Sequence, residues 1–109
     1  MIEIKFRAWD KVMTKKFEMS KPFNPFYYGG VFTANCVFMQ FTGVHDAAKK
    51  EVFDGDIIGS AGFFNKVIVW HKNGFYTYSV NNHERLFPLN LDEHDFIIGN
   101  IYENPELLK

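Results

Sequence analysis

Residues 38–70 read FMQFTGVHDAAKKEVFDGDIIGSAGFFNKVIVW, and this stretch decides the fold. The apolar run that begins at Val37 reaches Phe41 and stops at Thr42-Gly43. Asp46 to Glu51, DAAKKE, is a polar bend or a single helical turn. Val52-Phe53, Asp54-Gly55-Asp56 and Ile57-Ile58 then read as strand, tight turn, strand, because Asp-Gly between β-prone residues favours reversal of the chain. A further apolar strand, Val67 to Trp70, follows a glycine-spaced loop. Short strands around a Gly-Asp corner suit a small, partly open β-barrel. Asp54 and Asp56 read as turn formers, since Asp bonds its local backbone and Gly supplies positive φ. A calcium loop would need a longer run of oxygen ligands closed by a bidentate Glu, which does not follow here.

Beyond this stretch, Asn73-Gly74 separates Val67–Trp70 from Phe75–Val80 and predicts the clearest hairpin in the chain. On its second strand Phe75, Thr77 and Ser79 share one face, and Tyr76, Tyr78 and Val80 the other. Asn81 to Arg85 reads as a polar turn. Leu86, Phe87, Leu89 and Leu91 lead through Pro88 into an acidic loop, residues 92–95. Phe96 to Tyr102 is the last strand, with a bulge expected at Gly99. Asn104 then caps a short helical turn that starts on Pro105.

In the other direction, Ile2, Ile4, Phe6 and Ala8 alternate with Glu3, Lys5 and Arg7 and predict a strand with one buried face, ended by Trp9-Asp10. Lys11 to Lys16 is a polar turn, and Phe17 and Met19 resume as the second arm of an opening hairpin. Residues 20–30, SKPFNPFYYGG, are irregular, because Pro22 and Pro25 remove backbone donors and fix φ. Val31 to Phe41 reads as a strand pair or one long strand, apolar on both faces and therefore central or covered. Cys36 within it reads as a small core residue, with no base nearby in sequence to activate it.

The length of 109 residues predicts one domain, 1–109. Hydrophobic residues at 47%, charged residues at 23% and a net charge of -1 describe a globular chain without the basic excess of a nucleic-acid binder. No apolar run approaches the ~20 residues of a membrane helix. Met1-Ile2-Glu3-Ile4-Lys5 is charged from the start, unlike a signal peptide. With a single cysteine, these features predict a protein of the reducing cytoplasm.

Aromatic residues reach 18%, thirteen of them Phe. A small core holds so many rings only with difficulty, so some are expected at an interface. The candidates for partner or oligomer contact are Phe23, Phe26, Tyr27 and Tyr28 in the proline-bounded loop, with Phe63 and Phe64 beside the corner. The alternative is a Phe-rich core capped by that loop. A different reading, nucleic-acid binding, would stack bases on Trp70, Tyr76 and Tyr78 with Lys72 on phosphate.

Chemistry is scarce. His45, His71, His83 and His94 do not form HExxH, and one cysteine rules out a Cys/His zinc site. No GxSxG, GxxxxGK[ST] or GxGxxG occurs. A small enzyme working through the acidic loop and His94 is the remaining catalytic reading, without an identifiable base–nucleophile pair. No catalytic residue, metal site or cofactor is expected.

Three blocks carry a resemblance. They are Ile2–Asp10 (IEIKFRAWD), Met39–Gly43 with Val52–Ile58 (MQFTG, VFDGDII), and Ile98–Leu108 (IGNIYENPELL). In order and composition they resemble the YopX-like family of phage and prophage proteins. Residues 17–37 and 60–96 carry little of the likeness. The family's Asn-Gly turn before the corner is replaced by Ala47-Ala48, which predicts a different, helical bend. The resemblance implies an all-β, barrel-like fold and a phage or prophage origin, and implies no catalytic residues.

The resulting expectation is an all-β domain around a partly open SH3-like barrel, or alternatively a two-sheet β-sandwich, with a short C-terminal helical turn. Its expected role is non-enzymatic: a phage accessory protein that forms a homo-oligomer and binds a host or phage protein, a host defence being one target.

Overall fold

The computed structural model describes residues 5–11, 15–19, 36–60, 62 and 64–108, with the backbone alone for 15–19 and 36. The described chain is all-β, arranged as two antiparallel sheets that do not close into a barrel. The first sheet has the order β2-β1-β3-β4, built from β1 Phe6–Asp10, β2 Lys15–Met19, β3 Cys36–His45 and β4 Glu51–Phe53. The second has the order β8-β7-β6-β5-β9, built from β5 Asp56–Gly59, β6 Lys66–His71, β7 Gly74–Ser79, β8 Asn82–Pro88 and β9 Phe96–Asn100. A 3-10 turn at Pro105–Leu108 ends the description.

β1 lies between β2 and β3, with Ala8 opposite both Phe17 and Phe38. The opening hairpin is therefore present. Trp9 and Asp10 continue the strand instead of ending it, because both neighbours extend the ladder to Asp10. β3 likewise runs through Thr42-Gly43 to His45. Its register shifts between Phe41 and His45, where Gly43 has φ 87°. The Thr42 hydroxyl donates to Val52 O (2.8 Å) and accepts from Val44 N–H (3.1 Å), which satisfies the backbone across the irregularity.

The 46–50 loop is a tight hairpin turn and not a helical one. Lys49 N–H donates to Asp46 O, Asp46 N–H donates to Lys50 O (both 2.9 Å), and Lys49 adopts φ 65°. A left-handed residue after a turn is what brings the two strands back into register.

The Asp54-Gly55 corner does not close a hairpin. β4 pairs with β3 and β5 pairs with β6 and β9, so the corner carries the chain from one sheet to the other. Successive strand residues face opposite ways, and β4 uses both faces. Phe53 joins a cluster of Met39 and Phe41, with Trp9 and Tyr102 against it. Val52 joins Ile58 and Ile68, with Phe75, Leu89, Leu91 and Ile97 against them. Burying side chains of this size contributes about 1.5–3 kcal/mol each.

β6 and β7 form the expected hairpin, His71 opposite Gly74. The two turn residues are Lys72 (φ 45°) and Asn73 (φ 71°), and Gly74 is the first residue of β7. Asn82–Arg85, read above as turn, belongs to β8. β8 is an edge strand with both faces in water over much of its length, so its sequence is polar, and Pro88 fits at its end.

β9 covers the other edge, with a register shift that makes Ile98 the additional residue next to Gly99. Gly99 is required for space: a Cβ there would run into the Asn104 side chain. Asn104 Oδ1 accepts from Asn100 N–H (3.1 Å), so its side chain reaches back to β9 instead of capping the 3-10 turn.

Candidate functional site

Two places gather polar groups with defined surroundings: the corner between the sheets, and a groove on the second sheet. At the corner, Arg7 of β1 and Asp56 of β5 form an ion pair with both side chains buried. Arg7 therefore does not share the solvent face that its alternation with Lys5 suggests. Its guanidinium lies over the Phe53 ring, 4.5 Å from the centroid, and Nη2 reaches Met39 Sδ at 3.5 Å. Arg7 Nε has no hydrogen-bond partner among the described residues. The second Asp56 oxygen accepts from Phe53 N–H at 2.7 Å. Asp56 thus works on both sides of the turn, as a local backbone acceptor and as the anion of a pair that spans the two sheets.

The backbone of the corner is held equally closely. Asp54 N–H donates to Gln40 O (2.9 Å), Gly55 N–H to Ile68 O (2.8 Å), and Ile101 N–H to Gly55 O (2.9 Å). Gly55 has φ 91°, and a Cβ on it would lie 3.4 Å from Met39 Sδ and 3.6 Å from Tyr102. Asn100 sets Tyr102 in place: its Oδ1 accepts from Tyr102 N–H (3.0 Å) and Glu103 N–H (2.8 Å). Asp54 is half-buried, and desolvation raises its pKa, as does the charge of Asp56. A bond from Trp70 N–H and the Arg7 charge oppose that rise without cancelling it. Burial also raises the Tyr102 hydroxyl, and the Asp54 charge adds to it.

Arg7, Met39, Phe41, Asp54–Asp56, Asn100 and Tyr102 come from the three sequence blocks that carry the family resemblance, and here they meet. Their contacts are directed at one another and at the backbone. The arrangement is a joint between two sheets.

A second carboxylate, Asp46, closes the neighbouring turn. Oδ1 accepts from Ala48 N–H (2.9 Å) and Lys50 N–H (2.8 Å), and Oδ2 accepts from Ile97 N–H of the edge strand β9 (2.9 Å). Desolvation acts to raise its pKa, but these three bonds and the Lys50 charge outweigh it, and the carboxyl ends below its ordinary value.

The groove lies on the other half of the second sheet. It has a volume of about 540 Å³ and is lined by Lys66, Thr77, Ser79, Phe87, Pro88 and Asn90. Register places these side chains together: Lys66 is opposite Ser79, Ile68 opposite Thr77, and Thr77 opposite Phe87. The segment Leu89–Leu91 turns back over Ile68 and Phe75 and forms the adjoining ridge. Arg85 stacks on the Phe87 ring, 5.1 Å from its centroid.

Of the contact residues expected from sequence, Phe23, Phe26, Tyr27, Tyr28 and Phe63 lie outside the described residues. Phe64 is exposed, at 62%. The stacking set does not form one platform. Trp70 pairs with Phe75 and meets its ring edge-on at 4.8 Å, on the groove face. Tyr76 and Tyr78 occupy the opposite face, where Tyr76 meets His71 and Tyr78 meets His83. Lys72 stands in the turn between them, exposed. Cys36 is a strand residue whose side chain is outside the description. His94 is exposed beside Glu93, and no group of three metal-ligating side chains occurs among the described residues.

Sequence reasoning did not single out the groove. Its signal was the sharing of one face by Lys66, Ile68 and Trp70 on β6 and by Phe75, Thr77 and Ser79 on β7. That signal stayed incomplete because the third wall, β8, read as a turn.

No helix among the described residues is long and apolar enough to cross a membrane. No curated protein matches the chain. Among solved structures it resembles the crystal structure of protein EF1440 from Enterococcus faecalis, at 23% identity over 100% of both chains with a TM-score of 0.66. That likeness concerns the fold. The family model described as YopX protein matches residues 16–109, and on that match the chain belongs to the YopX family.

Proposed function

We propose that this chain is a non-enzymatic, protein-binding accessory protein of phage or prophage, and that it associates with itself as well as with a host or phage partner. One observation carries the reading. The large apolar side chains left exposed among the described residues all belong to the second sheet or to the loop that enters it: Phe64 (62%), Phe87 (48%), Trp70 (45%), Phe96 (45%) and Ile98 (43%). These residues lie on β6, β8, β9 and the loop before β6, so the second sheet, and not the first, offers the exposed apolar surface on which contacts form. The polar groups at the corner support the non-enzymatic part, since Asp56 and Asn100 are engaged in holding backbone. A host defence protein is one partner that such an accessory protein would occupy.

Light scattering after size exclusion tests self-association. The expected mass exceeds one chain at micromolar concentration, and Phe96→Asp on the edge strand β9 shifts it toward the monomer with an unchanged far-UV spectrum. A mass of one chain at every concentration would contradict self-association.

A further inference from the structure

Phe96 and Ile98 are exposed on the edge strand β9, and their cross-strand neighbour explains why. Phe96 stands opposite Gly59, and the Ile98 side chain lies over the same glycine, where a Cβ would come within 2.9 Å of it. The two therefore share one face of the sheet, and β5 offers no side chain to cover them at that point. Ile57, two residues along β5 and on that same face, is fully buried. The pair is thus the uncovered rim of a face that is covered further in. Backbone groups along the outer edge of β9 are already engaged. Ile97 N–H donates to Asp46 Oδ2 (2.9 Å), Ala47 N–H donates to Asp95 O (2.9 Å), and Asn100 N–H donates to Asn104 Oδ1 (3.1 Å). An edge occupied in this way resists strand addition, so a contact here is made by side chains. The Ala47–Asp95 bond also ties the turn that carries Lys49 and Lys50 to the loop that carries Asp92 and Glu93, and all four side chains are exposed. Among the described residues these four form no ion pair with one another; Glu93 meets His94, and the Lys50 charge acts on Asp46.

We propose that this surface is where the chain meets a second copy of itself. Phe96 and Ile98 pack against the same residues of the other copy, and Lys49 and Lys50 of each copy face Asp92 and Glu93 of the other. The proposal rests on the self-association reading and says which surface carries it. A two-fold contact uses one patch twice, so the patch has to complement itself. An apolar pair beside two cations and two anions does so, whereas a partner of one sign would meet like charge on part of it.

Charge reversal on separate full-length chains tests this, read by light scattering after size exclusion. Lys50→Glu and Glu93→Lys each weaken association by at least about tenfold, because each brings like charges together across the contact. Mixing the two variants restores the mass of the unaltered protein, since each then supplies the charge that the other lacks. Recovery on mixing cannot arise within one chain. Lys50→Glu also withdraws a charge from Asp46, so Lys49→Glu is measured beside it, and far-UV spectra check that each variant is folded.

An oligomer that neither reversal weakens, or one that does not recover on mixing, overturns the proposal and leaves self-association to another surface. A mass of one chain at every concentration overturns both readings.

Discussion

At the corner, polar side chains are turned onto the protein itself: Asp56 onto Arg7 and Phe53 N–H, Asn100 onto Tyr102 and Glu103 N–H. In the groove, Thr77 and Lys66 have no such partners among the described residues. The corner is assembled from the blocks that resemble a family, and the groove from residues 66–90, where the resemblance is weak. This division teaches where to look for function. The residues that carry the resemblance build the joint, and the groove is lined by residues outside those blocks.

Substitution at the joint should therefore cost more stability than substitution in the groove. The largest effect is expected from Arg7→Met, which leaves the Asp56 charge buried without its cation. Stranding one member of such a pair costs about 3–5 kcal/mol, to be read from denaturant unfolding. A loss below 1 kcal/mol would place Arg7 in water and remove the joint.

Gly55→Val comes next. Its positive φ resists a β-branched residue, and the new side chain meets Met39 and Tyr102. The expected loss is about 1–3 kcal/mol, and an unchanged melting temperature would contradict the positive φ. Lys49→Gly should act in the opposite direction. Lys49 holds a left-handed conformation in the turn, and relieving it should raise stability by about 0.5–1 kcal/mol.

The smallest effect concerns pH and has two signs. Asp46 is held below its ordinary value, so its contribution is present above pH 4 or so and is lost as pH falls through its lowered pKa. Asp54 is held above its ordinary value, so the folded state takes up its proton first, and acidification through that raised pKa favours the fold. Asp54→Asn should consequently raise the melting temperature near neutrality, and the gain should fade as pH approaches 4. Asp46→Asn should lower it near neutrality. A gain for Asp54→Asn that persists unchanged in acid would contradict the assignment.

Two similar dipeptides show how much of the fold was legible. Asn73-Gly74 marked a hairpin and one formed, with a one-residue difference in which positions turn. All the information for that turn is local. Asp54-Gly55 carries the same kind of signal and has the positive φ it implies, yet its strands separate into different sheets. What separates them is not local: Phe53 pairs with Phe41, and Ile57 and Ile58 pair with β6 and β9.

Arg7 was misread for a related reason. Alternation distinguishes faces but does not show that a strand will be covered on both of them, as β1 is. Asn82–Arg85 failed differently, because an edge strand in water has no apolar face to reveal it. In the groove, the shared face of Lys66 and Thr77 was visible in the spacing. The absence of partners for them was not, since it depends on where β8 and Leu89–Leu91 run.

The most direct test of the joint is a double-mutant cycle on Arg7→Met and Asp56→Asn, measured by denaturant unfolding. Asparagine keeps an acceptor for Phe53 N–H, so the cycle isolates the pair across the sheets. The account predicts that each single variant is strongly destabilised and that the double variant is more stable than the sum of the two losses implies, by about 2 kcal/mol. Losses that simply add would contradict it, because they would mean that Arg7 and Asp56 act on the two sheets separately.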